Sequence, residues 1–244
     1  VELTKELLLS VKKPARYIGG ELNSIKKDLS KMSLKVCLCF PDVYEIGMSH
    51  LGLRILYDLI NKQEDCCAER VFSPWIDMEE KMRSNQIPLF TLESRAPVKD
   101  FDILGFSLQY ELSYTNVLNI LSLSNIPLKS SERNENSPLI IAGGFSCLNP
   151  EPMAEFIDCF VIGEAEEAIL ELMDVVRKHK QSGSSDRQAI LKSLALIEGV
   201  YVPSLEKNNS DLKISKRVVR DLEKILDLDT WVVPFIEIVH DRIG

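Results

Sequence analysis

The chain has 244 residues, 45% of them hydrophobic, enough to bury the core of one large domain or of a domain of about 150 residues with attachments. A formal charge of -8 and a pI near 5.1 speak against a binder of nucleic-acid backbones. Six cysteines show neither disulfide-framework spacing nor a Cys-x-x-Cys pair, and neither a signal peptide nor a membrane-length apolar run is present. A reducing cytoplasm is therefore the expected setting, with no membrane partner.

Residues 1–33 read as a peripheral helical arm, with Leu3, Leu7 and Leu8 on an apolar face and Pro14 interrupting it. The local basic excess of Arg16, Lys26, Lys27, Lys31 and Lys35 lacks interleaved aromatics and reads as a solvated helix face. The stretch Leu34 to Ile60 organises the rest. Val36 to Phe40 is a short apolar run stopped by Pro41, as expected of an interior strand. From Met48 the apolar positions Leu51, Ile55, Leu56, Leu59 and Ile60 switch to helical spacing.

Further strands are expected at Ala68–Phe72, Ile87–Leu92, Phe101–Leu108, Leu139–Ala142 and Cys159–Ile162. Helices are expected at Ile76–Asn85, from Tyr114 to before Pro127, briefly at Met153–Phe156, and at Ala165–Val176. This alternation marks a three-layer α/β fold, a mostly parallel sheet of the flavodoxin-like or Rossmann-like kind. Gln181–Arg187 reads as a linker, so the division runs as an arm (1–33), an α/β unit (34–187) and a connector (188–244). In the connector, Ala189–Ile197 reads as a helix, Gly199–Pro203 and Leu212–Val219 as strands, and the apolar run from Trp231 as a strand whose partners lie in further sequence.

Parallel strands would bring four loops to one edge, where ligands of such sheets bind. They hold Asp42, Tyr44, Glu45, Gly47, Ser49, His50 and Gly52; Ser107, Gln109, Tyr110 and Glu111; Gly143, Gly144, Ser146, Cys147 and Asn149; and Gly163, Glu164 and Glu166. The glycines allow close approach to backbone, and the hydroxyls and amides suit a large polar ligand. Gly143-Gly144 is no P-loop, and GxGxxG is absent. Glu164, Glu166 and Glu167 would repel a phosphate, and three histidines with scattered cysteines make a poor metal set. His50 reads either as a ligand contact or as a helix cap.

PARYIGGE, FPDVYEIGMSHLGLRILYDLIN, AERVFSPW, IPLFTLES, DFDILGFSLQYELSYTNVLNIL, IAGGFSCLNPEP and VIGEAEEAILEL resemble the N-terminal region of a radical SAM family in which a cobalamin-binding-like domain precedes the barrel. VVRDL and VPFIEIVHDRIG resemble the lead-in to that barrel. The resemblance makes residues 34–187 a cobalamin-binding-like domain and the chain's own C-terminal barrel its partner. It implies a [4Fe-4S] cluster and S-adenosylmethionine for the full-length protein, held by a Cys-x-x-x-Cys-x-x-Cys motif that none of these six cysteines forms. Cobalamin domains with Asp-x-His-x-x-Gly ligate cobalt through the histidine; here Asp42 and Gly47 match, but Tyr44 stands in the middle. A phenol is protonated near neutrality and is a poor cobalt ligand. The resemblance thus implies a corrinoid bound without a histidine, on the loops just named, or a domain that has kept the fold and lost the cofactor.

Overall fold

Seven residues from Leu34 to Phe40 (β1) form the spine of the molecule, six of them buried. The computed structural model describes residues 1–183, 186–206, 213–221 and 231–240. Beside β1 lie Cys66–Phe72 (β2) and Ile103–Ser107 (β3), followed outward by Leu139–Gly143 (β4), Cys159–Val161 (β5) and Val200–Tyr201 (β6). The order is β2-β1-β3-β4-β5-β6, with β1 to β5 parallel and β6 antiparallel. This is the flavodoxin-like order with one strand added, and its direction reverses between β1 and β3.

Helices cover both faces, as the apolar strands require. On one face Leu51–Asn61 (α3) follows the single turn Tyr44–Gly47 (α2), joined by Ala168–Gln181 (α6) and Arg187–Leu194 (α7). Ile76–Ser84 (α4) and Tyr114–Leu123 (α5) cover the other face. Their buried stripes, Leu53, Tyr57 and Ile60 on α3 and Val117, Ile120 and Leu121 on α5, fall at helical spacing. Lys5–Leu9 (α1) and Pro203–Glu206 (α8) are short and peripheral.

Several expectations need correction. The arm is mostly irregular, with one five-residue helix, two 3₁₀ turns and a single bridge at Leu22. Ile87–Leu92 is not a strand: Phe90 makes a single bridge to Pro97, and Leu92 donates to the Arg70 carbonyl. The Ala96 and Leu89 carbonyls there serve Thr91 and Val98, closing a loop on itself rather than extending the sheet. The loop after β1 holds a helical turn, so α3 begins at Leu51 and not Met48. Met153 ends a 3₁₀ turn, Glu151–Met153. Of Leu212–Val219, Leu212 lies outside the described residues, and the rest makes one bridge, Gly163 to Arg217. The run from Trp231 is bridged only through Val233 to Leu22. The sheet also takes β6 from the stretch assigned to the connector. Of the expected linker, 184 and 185 lie outside the described residues, and Arg187 opens α7.

Candidate functional site at the strand ends

Because β1 to β5 run parallel, the loops after Phe40, Ser107, Gly143 and Val161 share one edge. Asp42 and Tyr110 meet there: the tyrosine hydroxyl donates to the carboxylate at 2.7 Å. That bond raises the Tyr110 pKa, with burial and the aspartate's charge adding to it. Asn116 of α5 donates to the Pro41 carbonyl at 2.9 Å, tying the first loop to the second. The third loop joins them through Ser146 N–H to Leu108 C=O at 3.1 Å. Ser107 and Gly143 are register partners at the ends of β3 and β4.

The glycines divide. Gly144 has φ +113, and a Cβ there would strike the Leu108 carbonyl and lie 2.7 Å from Gln109 Nε2. Its freedom serves loop-to-loop packing. Gly47 is occupied similarly, since a Cβ would collide with the Phe72 ring. Gly143 is different: the nearest atom to an added Cβ is Val161 Cβ at 3.8 Å. Ser146 is buried beside Tyr114, while Asn149 is exposed.

The remaining first-loop residues turn away from the edge. Tyr44 is 2% exposed and donates its hydroxyl to Glu21 at 3.1 Å. Burial, then the Glu21 charge, pushes its phenol well above the usual range. Glu45 takes Arg16 and Lys13 at 2.8 Å each. Burial alone would raise its pKa, but those hydrogen bonds win and hold it low. His50 caps α3, its Nδ1 accepting from Leu53 N–H at 3.1 Å beside the Phe40 ring. Burial lowers its pKa, in keeping with a neutral acceptor. Gly52 packs against the same imidazole, and Ser49 donates to the Glu45 carbonyl at 2.7 Å.

Sequence reading missed the buried charges below Tyr44. Arg70, in β2, pairs with Glu93 at 2.6 Å and Glu21 at 3.1 Å, all three nearly inaccessible. Burial works against the Arg70 charge, and Glu93 and Glu21 more than restore it. Glu69 beside it accepts from Thr91 and Ser94. The signal was the pair Glu69-Arg70 inside the otherwise apolar CCAERVF.

Around the strand ends, large apolar side chains face outward: Leu112 is 83% exposed, Phe145 73%, Leu148 55% and Tyr110 37%. Among the described residues no group of three or more histidine, cysteine, aspartate or glutamate side chains converges on a metal position. All six cysteines are free and buried. Desolvation raises the thiol pKa at Cys37, Cys39, Cys147 and Cys159, which makes them inert. No helix among the described residues is long and apolar enough to cross a membrane.

These features define a mostly parallel α/β domain with exposed apolar side chains at its strand-end edge and no metal-binding cluster among its described residues. Residues 52–203, more than half the chain, match the family model described as "Radical SAM proteins, N-terminal", and the chain belongs to that family. It is similar, at 25% identity over 192 residues, to "Uncharacterized protein MJ0966" of Methanocaldococcus jannaschii. The match takes in 78% of this chain and 34% of that protein, so the chain spans about a third of its relative's length.

Proposed function

We propose that this chain is the N-terminal accessory module of a radical SAM enzyme, and that the cleavage of S-adenosylmethionine belongs to other sequence in the parent protein. The observation that carries this is the strand-end edge, whose loops are closed on one another by protein atoms. Asp42 is held by Tyr110, Gly144 by the Leu108 turn, and Gly47 by Phe72. A corrinoid gripped through a protein ligand does not fit these residues. Tyr44 is turned into the core, and His50 spends its Nδ1 lone pair on a helix cap, which in the neutral ring leaves the proton on Nε2. The [4Fe-4S] cluster and S-adenosylmethionine are assigned to the parent's barrel, with no step routed through this chain.

With dithionite and S-adenosylmethionine, the purified chain is expected to yield no 5′-deoxyadenosine and to carry almost no iron. Turnover by the chain alone would remove the proposal.

One observation favours a second reading, a cobalamin lying on the same edge without histidine ligation. Gly143, the register partner of Ser107 at the strand ends, has no close neighbour: an added Cβ would meet only Val161, at the ordinary contact distance of 3.8 Å. Titration with hydroxocobalamin separates the two. The first reading expects no saturable binding at ~100 μM, a limit of about -5.5 kcal/mol. Saturable binding that weakens in Gly143→Leu would establish the second.

A further inference from the structure

We infer that the strand-end edge is the face on which the rest of the parent chain docks, with Leu112, Phe145 and Leu148 at its centre. The inference rests on reading this chain as one module of a longer radical SAM protein, and names the partner of the site just described. Single exposed apolar side chains are ordinary on a protein surface; a group around the ends of adjacent strands is not. The loops carrying Leu112 and Phe145 follow β3 and β4, which are neighbours in the sheet. They are fixed to each other by the Ser146–Leu108 hydrogen bond, so the group is presented on a firm base.

Two facts choose the occupant. The relative is far longer than this chain, whose match fills 34% of it, so a large remainder must sit somewhere. The described tail leads to this end of the molecule. Val239 N–H reaches the Glu45 carbonyl and His240 N–H reaches Ser49 Oγ at 2.9 Å, both in the turn that follows β1. Along the tail the inward residues Val232, Ile236 and Ile238 alternate with outward Val233, Phe235, Glu237 and Val239, three of these four apolar. A segment with apolar residues on both sides suits a place between two layers of protein, with Glu237 at the margin.

The test uses the full-length parent protein. Leu112→Cys and Phe145→Cys are compared with Glu64→Cys, an exposed turn residue at the opposite edge, for the rate of maleimide labelling, read peptide by peptide by mass spectrometry. All three positions are exposed in the module, so cysteine there is compatible with its fold. Labelling at 112 and 145 is expected to be at least about tenfold slower than at 64, at every protein concentration. Equal rates would overturn the inference. Protection that vanishes on dilution would assign the face to a second copy, and protection that needs added hydroxocobalamin would assign it to a corrinoid; either result overturns it. Cleavage of S-adenosylmethionine by the module alone would defeat the accessory reading while leaving these labelling ratios intact, so the two failures are separable.

Discussion

Where the strands begin, Asp65, Asp102 and Asp158 each stand one residue before a strand and bind the neighbouring segment. Asp65 accepts from Ser33 Oγ at 2.6 Å, Asp102 from Lys35 N–H at 2.7 Å and Asp158 from Ile140 N–H at 2.7 Å. Cations close over them: Arg177 on Asp65, Lys180 on Asp102, Arg133 and Arg187 on Asp158. Where the strands end, the loops carry glycines, one Asp–Tyr pair and outward apolar side chains. One edge is sealed by charge against its own backbone; the other offers surface for something else. The difference teaches that the start of the sheet is tied to its own backbone by charge while its end, where open α/β sheets bind ligands, keeps apolar side chains at the surface.

The largest expected effect lies at the sealed edge. Asp158→Ala leaves Arg133 fully buried without its carboxylate, and Arg187 nearly so. Breaking such a pair costs about 3–5 kcal/mol because the remaining charge is stranded. Urea unfolding of the chain measures it. A loss below about 1 kcal/mol would erase the claim that this edge holds the fold.

The glycine pair gives the next contrast, within the open edge itself. Gly144→Ala forces a side chain into a positive-φ position against the Leu108 carbonyl, and is expected to cost about 1–3 kcal/mol. Gly143→Ala meets only Val161 at ordinary contact distance and is expected to stay within about 0.5 kcal/mol. Equal losses would show that the two positions are not built differently.

A third effect separates the edges by pH. His50 is held neutral in the fold, its pKa lowered by burial, while the unfolded imidazole titrates near its ordinary value. The stability it supplies is therefore complete above that value and falls as the pH drops below it, because the unfolded chain takes up the proton first. His50→Asn keeps a capping acceptor and removes the titration, so stability curves of the two proteins should converge above pH ~7 and separate below ~6. Parallel curves throughout would mean that the imidazole is not the acceptor for Leu53.

Strand and helix order were legible in the sequence because the period of apolar residues changes cleanly, as between Val36–Phe40 and Leu51–Ile60. Ile87–Leu92 misled because an apolar run carries no mark of where its hydrogen bonds go; here they are split between its own loop, Leu123 and Arg70 and build no ladder. The parallel strands bring the loops that hold these residues to one edge, yet spacing was silent on which way each side chain points. Tyr44 and Asp42 lie two residues apart, and one ends in the core while the other meets Tyr110. The aspartates before β2, β3 and β5 were passed over, since an acidic residue beside an apolar run reads equally well as a solvated loop.

The smallest expected effect tests the open edge most directly. Folding of the chain leaves Leu112 83% exposed, so little of its surface is withdrawn from water and little stability depends on it. Leu112→Ser should therefore change the unfolding free energy of the chain by no more than about 0.5 kcal/mol. In the full-length parent the same substitution should cost more, because a residue covered by a second domain loses its burial along with its methyl groups. A loss above about 1 kcal/mol in the chain alone would place Leu112 in the core and abolish the contrast between the edges. An equally small change in both proteins would mean that nothing covers it. Only a small loss in the chain with a larger one in the parent agrees with a surface left apolar for a partner.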